Sequence, residues 1–242
     1  MKTISLAAYN RASYLELTLN SLKQVDWTGY KLFVSLENGA TEAVRRLCAN
    51  IDWIDKEVHV AARKLGCDHN THRSVCMPFD AGSDFNIYME DDIEISRGLR
   101  NLADWYAAYN DQKNVCLCTE SFTDRQGPTN QLLLFENFNS HGFMCTRAQF
   151  DKHLRKQWLD HSFSVDTDKG WDWNINNYVT RHSGSRIVSP LHAYTHHIGV
   201  MGTYCKPKLY HEGGQDKVAL CHALHDSFFI DDPGSAASES AT

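Results

Sequence analysis

Three consecutive carboxylates, Glu90, Asp91 and Asp92, follow the strand-like run Phe85–Met89 and precede Ile93, Glu94 and Ile95. Like charges in a row repel one another, so such a triplet is either solvated on a loop or held by a cation. Hard oxygen donors at a strand end suit Mg²⁺ or Mn²⁺. These ions keep several waters and bind through one or two carboxylates together with phosphate oxygens. A nucleoside diphosphate is the natural complement, because a divalent ion neutralises its charge as it leaves.

A further carboxylate, Asp172, sits between Trp171 and Trp173 in "KGWDWNINN". Indole faces offer sugars a flat apolar wall, and partial desolvation raises a carboxylate toward useful basicity. Asp172 fits a general base, and it fits equally the N-cap of the helix that follows. In "THHIG", His197 can bind such an ion or be a buried histidine bonded to backbone. His196 is the fallback ligand, since adjacent strand residues point to opposite sides. His192 ranks below both. In "HNTHR", His69 and His72 share a helix face and could form a second metal site. Alternatively they belong to a helix that turns Asn70 or Arg73 toward a nucleotide.

The elements that must position these residues are legible in the first half. Strand patterns cover 3–9, 31–37, 56–62, 85–91 and 114–121, and helix patterns cover 12–24, 41–51 and 96–109. In the first helix Leu15, Leu19 and Leu22 share a face, with Ser13 and Glu16 spaced as a capping box. Strands alternating with helices predict βαβ units and a mainly parallel sheet flanked by helices, an α/β fold. Ligands of such sheets bind at the carboxyl ends of the strands. "YNR", "ENG" and "EDD" all fall there. After residue 122 the pattern is irregular: short strands at 132–137, 142–146 and 186–190, and helices at 147–159 and 172–182. The expected organisation is one domain over 1–230, with a nucleotide-binding half (1–121), an acceptor half (122–230) and a disordered tail (231–242).

The formal charge of −6 disfavours a general grip on nucleic acid but leaves a local basic groove open. The eight cysteines contain no C-x-x-C pair, which favours reduced, packed thiols over zinc. There is no run of roughly 18 apolar residues. The opening "MKTISLAAYN" lacks a signal-peptide core, so the reading is of a soluble, cytoplasmic protein.

"ISLAAYNRASYLELTLNSL", "YMEDDIEIS", "GWDWNI" and "HHIG", spread over residues 3 to 204, together resemble GT-A-fold glycosyltransferases. The likeness is to family 2-like enzymes and to the N-acetylglucosaminyltransferases that extend N-glycans. It implies a metal-dependent, inverting transfer of sugar from a nucleotide-diphosphate donor to an acceptor hydroxyl on a glycan, a protein or a modified nucleobase. By position it makes Asp92 the metal ligand of a D-x-D-type motif, with a histidine such as His197 closing the shell around Mn²⁺ or Mg²⁺. Glu90 and Asp91 would hold sugar or ribose hydroxyls, and Ala8, Tyr9 and Arg11 would touch the nucleotide. Glu37 departs from the family 2 pattern, which has aspartate there, but can still accept from base or ribose. Arg63 would lie near the diphosphate. The stretch "FNSHGFMCTR" is expected to line the acceptor side, as are Trp171 and Trp173, with Gly142 allowing close approach of the donor sugar; Lys206 and Lys208 could meet phosphate.

A nucleotidyltransferase would want a glycine-rich loop after the first strand, and "AAYNRAS" has no glycine. The remaining alternative is a glycosyltransferase-like module that only binds a sugar or a partner.

Overall fold

The computed structural model describes residues 1–123, 125–160, 170–201 and 206–231. Its spine is a nine-stranded sheet. Strands β1 (Lys2–Ala8), β2 (Tyr30–Leu36), β3 (Asp55–Val60) and β4 (Phe85–Glu90) lie parallel in the order β3-β2-β1-β4. β1, β2 and β4 are buried along nearly their whole length, as a sheet covered on both faces requires, whereas the edge strand β3 is polar and at most half-buried. Helix α1 (Ala12–Lys23) buries Leu15, Leu19 and Leu22 against the sheet; each buried leucine contributes about 1.5–3 kcal/mol. Helices α2 (Glu42–Ala49), α3 (Cys67–Asp80) and, later, α4 (Leu99–Tyr109) complete the first half.

Between β4 and α4, β5 (Ile93–Ile95) leaves the main sheet. The sheet continues through β6 (Leu117–Cys118), β7 (Gln131–Phe135), β8 (Phe143–Thr146) and β9 (Ile187–Pro190), ending in β11 (Phe229–Asp231). β8 runs antiparallel to both β4 and β6, β9 runs parallel to β6, and β7 pairs antiparallel with β9. β10 (Thr195–His197) pairs antiparallel with β5, setting His197 opposite Ile93. One sheet therefore carries strands from both expected halves.

Several sequence expectations need correction. The capping box at Ser13 and Glu16 does not form: α1 begins at Ala12, and its N-cap position is Arg11, with no side-chain cap. Arg11 is instead turned onto the carboxylate triplet, and its carbonyl accepts from Leu15 N–H. The strand expected over 114–121 is regular only at Leu117–Cys118. The helix expected over 147–159 is broken. Thr146 and Gln149 form a capping box on α5 (Arg147–Gln149), a widened π turn covers Phe150–Leu154, and a 3₁₀ turn covers Gln157–Leu159. That widening sets the Arg155 guanidinium 4.7 Å from the Phe150 ring centre, where it also pairs with Asp80 and Asp151. The tail expected to be disordered lies, beyond Asp231, outside the described residues. Among the described residues no helix is long and apolar enough to cross a membrane.

Candidate active site

The carboxyl ends of β1, β2 and β4 open into a cavity of about 660 Å³. Helix α3 begins on its wall at Gly66 and Cys67, and α6 (Trp171–Tyr178) lines it through Trp171 and Asp172. The β1–β4 register, with Ala7 opposite Glu90, brings Tyr9 and Arg11 over Asp91 and Asp92. Tyr9 N–H donates to Asp91 Oδ2 at 3.2 Å, and Thr18 of α1 donates to the Asp91 carbonyl at 3.1 Å.

Two of the three carboxylates, Asp91 and Asp92, are held by a cation of the chain itself. The Arg11 guanidinium donates one nitrogen to Asp91 Oδ1 and the other to Asp92 Oδ2. Burial opposes its charge, but the carboxylates outweigh that and hold Arg11 above its ordinary range. The three carboxylates are driven apart. Burial, reinforced by the Asp92 charge, holds Glu90 well above the usual carboxylate range, and Tyr88 donates to it at 3.1 Å. Burial also raises Asp91, against the pull of Arg11. Asp92 feels the same burial, but the His197 hydrogen bond and Arg11 overcome it and leave the group below its ordinary value. Asp92 is therefore the member of the triplet whose ionised form its surroundings favour most, and an ionised carboxylate is what a hard cation needs.

His197 is buried with Nε2 3.1 Å from Asp92 Oδ2. His196 faces the other way, onto the Gln215 carbonyl at 2.8 Å. Strand alternation thus selects His197 as the histidine beside Asp92. The residues fit a divalent ion as a partial ligand set. Gly199 keeps space beside both donors: a Cβ there would overlap Asp92 Oδ2 and stand 2.7 Å from His197 Nε2. Among the described residues no group of three His, Cys, Asp or Glu side chains could hold a metal. Further ligands would have to be diphosphate oxygens and water, as is common for Mg²⁺. His72, set against the Arg155 carbonyl at 3.0 Å and beside Trp158, belongs to no such group.

Asp172, which lines the same cavity, is the second residue of α6 and Gly170 holds the cap position, so Asp172 is not the N-cap. Burial raises its carboxyl above the ordinary range, partly offset by the Trp173 N–H. Ser140 Oγ stands 3.5 Å from Asp172 Oδ2. Trp171 lines the cavity but is mainly core: its ring stacks on Trp158 at 4.1 Å and meets Tyr88 edge-on. Trp173 is 43% exposed and outside the lining.

Ala8, Tyr9, Arg11, Glu37, Asn70, the triplet, Asp172 and His197 thus converge on one cavity. Glu37 accepts at Oε1 from Asn38 and Leu65 N–H and at Oε2 from Gly66 N–H, so its carboxylate fastens the loop leading into α3. Asn70 is tied to Ser35. Arg73 reaches Ser35 and the His59 carbonyl rather than the cavity, and Arg63 is exposed outside it. Its neighbour Lys64 lines the cavity instead, with Nζ 5.6 Å from the Tyr9 ring centre. Gly142 is behind the wall, at φ 101°, where a Cβ would collide with Thr119. Lys208 is exposed near Glu212, and neither it nor Lys206 lines the cavity. Lys64, Ser140 and His141 are lining residues that the sequence reading did not single out.

No family model matches this sequence, and the search of curated proteins finds no match. Solved structures do match it. The chain is similar to the mannosyltransferase PcManGT from Pyrobaculum calidifontis, solved with GDP-Man and Mn²⁺: 17% identity, TM-score 0.54, covering 78% of this chain and 54% of that one. It is also similar to S. aureus TarS 1-349 in complex with UDP-GlcNAc: 12% identity, TM-score 0.57, covering 81% and 58%. The fold is the GT-A fold of glycosyltransferases. A third such structure, the glycosyltransferase GlyE of Streptococcus pneumoniae TIGR4, gives 14% identity and TM-score 0.50 over 77% of this chain and 44% of that one. The chain spans only 44% to 58% of these GT-A proteins' length. At such identities the likeness carries the fold, and activity has to be argued from the site.

Proposed function

We propose that this chain is a glycosyltransferase that moves a sugar from a nucleoside-diphosphate donor to an acceptor hydroxyl with inversion, using a divalent cation. The observation that carries the reading is the convergence of Arg11, Asp91, Asp92 and His197 in one cavity that Asp172 also lines. An ionised Asp92 and His197 would hold Mn²⁺ or Mg²⁺, which when bound supplies positive charge against the departing diphosphate.

The remaining roles belong to the chain's own groups. Arg11, between Asp91 and Asp92, keeps both carboxylates converged and sets a fixed positive charge beside the diphosphate position. Lys64 and Tyr9 line the side nearest the β3–α3 loop, where a base or ribose would lie. Asp172 accepts the acceptor hydroxyl's proton. As that O–H bond breaks, the oxygen bonds the anomeric carbon and the bond to the β-phosphate oxygen breaks, its electron pair leaving with the diphosphate. Attack from the face opposite the leaving group inverts the anomeric centre. A carboxylate raised by burial suits this, since a base works best with a pKa nearer the operating pH.

The test is a thermal-shift panel of UDP, GDP, dTDP, CDP and their sugars, each with Mn²⁺, Mg²⁺ or EDTA. A ligand at about 100 times its dissociation constant adds about 2.7 kcal/mol of apparent stability. A metal-dependent shift with one nucleotide, followed by release of that nucleoside diphosphate from its sugar, supports the reading. No shift with any nucleotide sinks it and leaves a sugar- or partner-binding module.

A further inference from the structure

Next to this site lies a buried carboxylate that the proposed chemistry does not use. Glu120, just beyond β6, is 2% exposed. Its Oε2 accepts from Asn139 Nδ2 at 2.6 Å and from His141 Nδ1 at 2.7 Å, while Oε1 has no hydrogen-bond partner among the described residues. A buried carboxylate is costly unless it is paired, and removing its partner is strongly destabilising. Burial raises Glu120, but the His141 contact more than offsets it and holds the group below its ordinary range.

The pairing fixes the histidine. An ionised carboxylate only accepts, so His141 Nδ1 must carry the hydrogen, and Nε2 is left as the ring's other polar atom. The backbone around the ring is equally determined. His141 N–H donates to Asn139 Oδ1 at 2.7 Å, and its carbonyl accepts from Thr195 Oγ1 at 2.7 Å. Gly142 follows at φ 101°, a conformation that side chains rarely adopt. The ring lies face to face with His197, centres 4.4 Å apart and planes 9° from parallel, and it lines the cavity.

The position is more telling than the pairing. Ser140 stands beside Asp172, and His141 stacks on the histidine beside Asp92. These two adjacent residues therefore bridge the wall between the proposed base and the proposed diphosphate position. An inverting displacement puts the transferred sugar between its leaving group and its base. Resting on the glycosyltransfer reading, we propose that His141, oriented by Glu120, contacts the transferred sugar. Nε2 hydrogen-bonds a polar substituent of the ring and helps decide which sugar is accepted. Glu120 is the positioning residue; it fixes the tautomer and the plane of the ring without touching the sugar.

The experiment separates the sugar from the nucleotide. Calorimetric dissociation constants are measured with Mn²⁺ for UDP against UDP-GlcNAc and for GDP against GDP-mannose, on the wild type and on His141→Ala, His141→Gln and Glu120→Gln. Thermal melts exclude unfolded variants, and His141→Gln retains a polar side chain if His141→Ala fails to fold. The quantity read is the ratio of the bare diphosphate's constant to that of its sugar. We expect that ratio to fall about 3- to 10-fold in His141→Ala, as loss of one hydrogen bond implies, with the bare diphosphate within about twofold of wild type. Glu120→Gln should lower the ratio less, and His141→Gln should restore part of it. An unchanged ratio, a wild type that prefers no sugar over its bare diphosphate, or equal weakening of both ligands overturns the assignment while leaving glycosyltransfer standing. If the thermal-shift panel selects another nucleotide, the same ratio is read with that diphosphate and its sugar; failure of the wild type to bind any nucleotide of the panel overturns both.

Discussion

His197 Nε2 and Asp92 Oδ2 stand 3.1 Å apart although 105 residues of chain separate them. The approach is made by backbone. β10 pairs with β5 so that His197 faces Ile93, and Ile198 N–H donates to the Asp92 carbonyl at 2.9 Å. The residue after the triplet and the residue before Ile198 are therefore neighbours by strand register, not through side-chain adaptation. Two donors set by a ladder are already close to the geometry a cation needs, and little ordering remains for a ligand to impose.

From this pair follows the first prediction. Asp92→Asn should abolish the metal-dependent part of any nucleotide thermal shift. His197→Ala should weaken the apparent Mn²⁺ affinity by at least about 10- to 100-fold, since that much is lost when only an outer-shell partner of a ligand is removed. Titrating Mn²⁺ against a fixed nucleotide concentration reads both. If Asp92→Asn keeps the full metal response, the cation is held elsewhere.

Gly199 gives a second, independent handle on the same pair. Its missing Cβ leaves the space that an alanine methyl would share with Asp92 Oδ2, and the backbone there has no left-handed conformation to lose. Gly199→Ala should therefore displace the two donors while leaving the fold standing, at an overpacking cost of about 1–3 kcal/mol. The expected result is a folded protein by circular dichroism whose melting point no longer responds to Mn²⁺ plus nucleotide. An alanine variant with wild-type metal response would show that the pair is not the cation site.

How much of this was legible in the sequence divides along the chain. The β1 to α4 half follows from period and burial: Leu15, Leu19 and Leu22 point inward as their spacing requires, and "EDD" ends β4 as an apolar run into charge implies. Arg11 was legible as a residue near the nucleotide but not as the clamp on Asp91 and Asp92, because that needs the β1–β4 register. In "AARKLG" the choice between Arg63 and Lys64 is a one-residue phase along an irregular loop, and periodicity does not set it. Glu120 and His141 meet across 21 residues through the β6–β8 pairing, and β6 is only two residues long. The one available signal was "NSHGF", a histidine before a glycine in the stretch expected to line the acceptor side.

Asp172 carries the third prediction. As the proposed base it should be dispensable for donor binding, so Asp172→Asn should keep the nucleotide shift and lose about 10²- to 10⁴-fold in kcat, the usual contribution of general base catalysis. Because burial raises this carboxyl, the wild-type rate should fall on the acid side at a pH above that of an ordinary aspartate. Activity assays across pH with the donor found by the panel check both. Retention of more than a tenth of wild-type kcat in Asp172→Asn would move the base elsewhere.

The last prediction concerns stability away from the site. His153 lies in the π turn after α5, 2% exposed, with Nδ1 3.2 Å from the Tyr178 hydroxyl and Nε2 without a hydrogen-bond partner among the described residues. Burial first, and the charge of Lys152 second, lower it from 6.5 to about 4. The sign follows from which state binds the proton. Below pH 6.5 the unfolded chain takes up a proton that the folded chain refuses until about pH 4. Stability from this group is therefore complete above the higher value and is lost as pH falls through that window, by up to roughly 3 kcal/mol. His72, lowered chiefly by burial, adds a loss of the same sign, whereas His141, raised by its carboxylate partners, opposes it. The variant His153→Leu removes one contribution and leaves those two in place. Urea unfolding at pH 7 and at pH 4.5 should show the stability gap between the two pH values shrinking in the variant by about 2 kcal/mol or more. An unchanged gap would mean that His153 charges freely inside the fold, with solvent reaching Nε2.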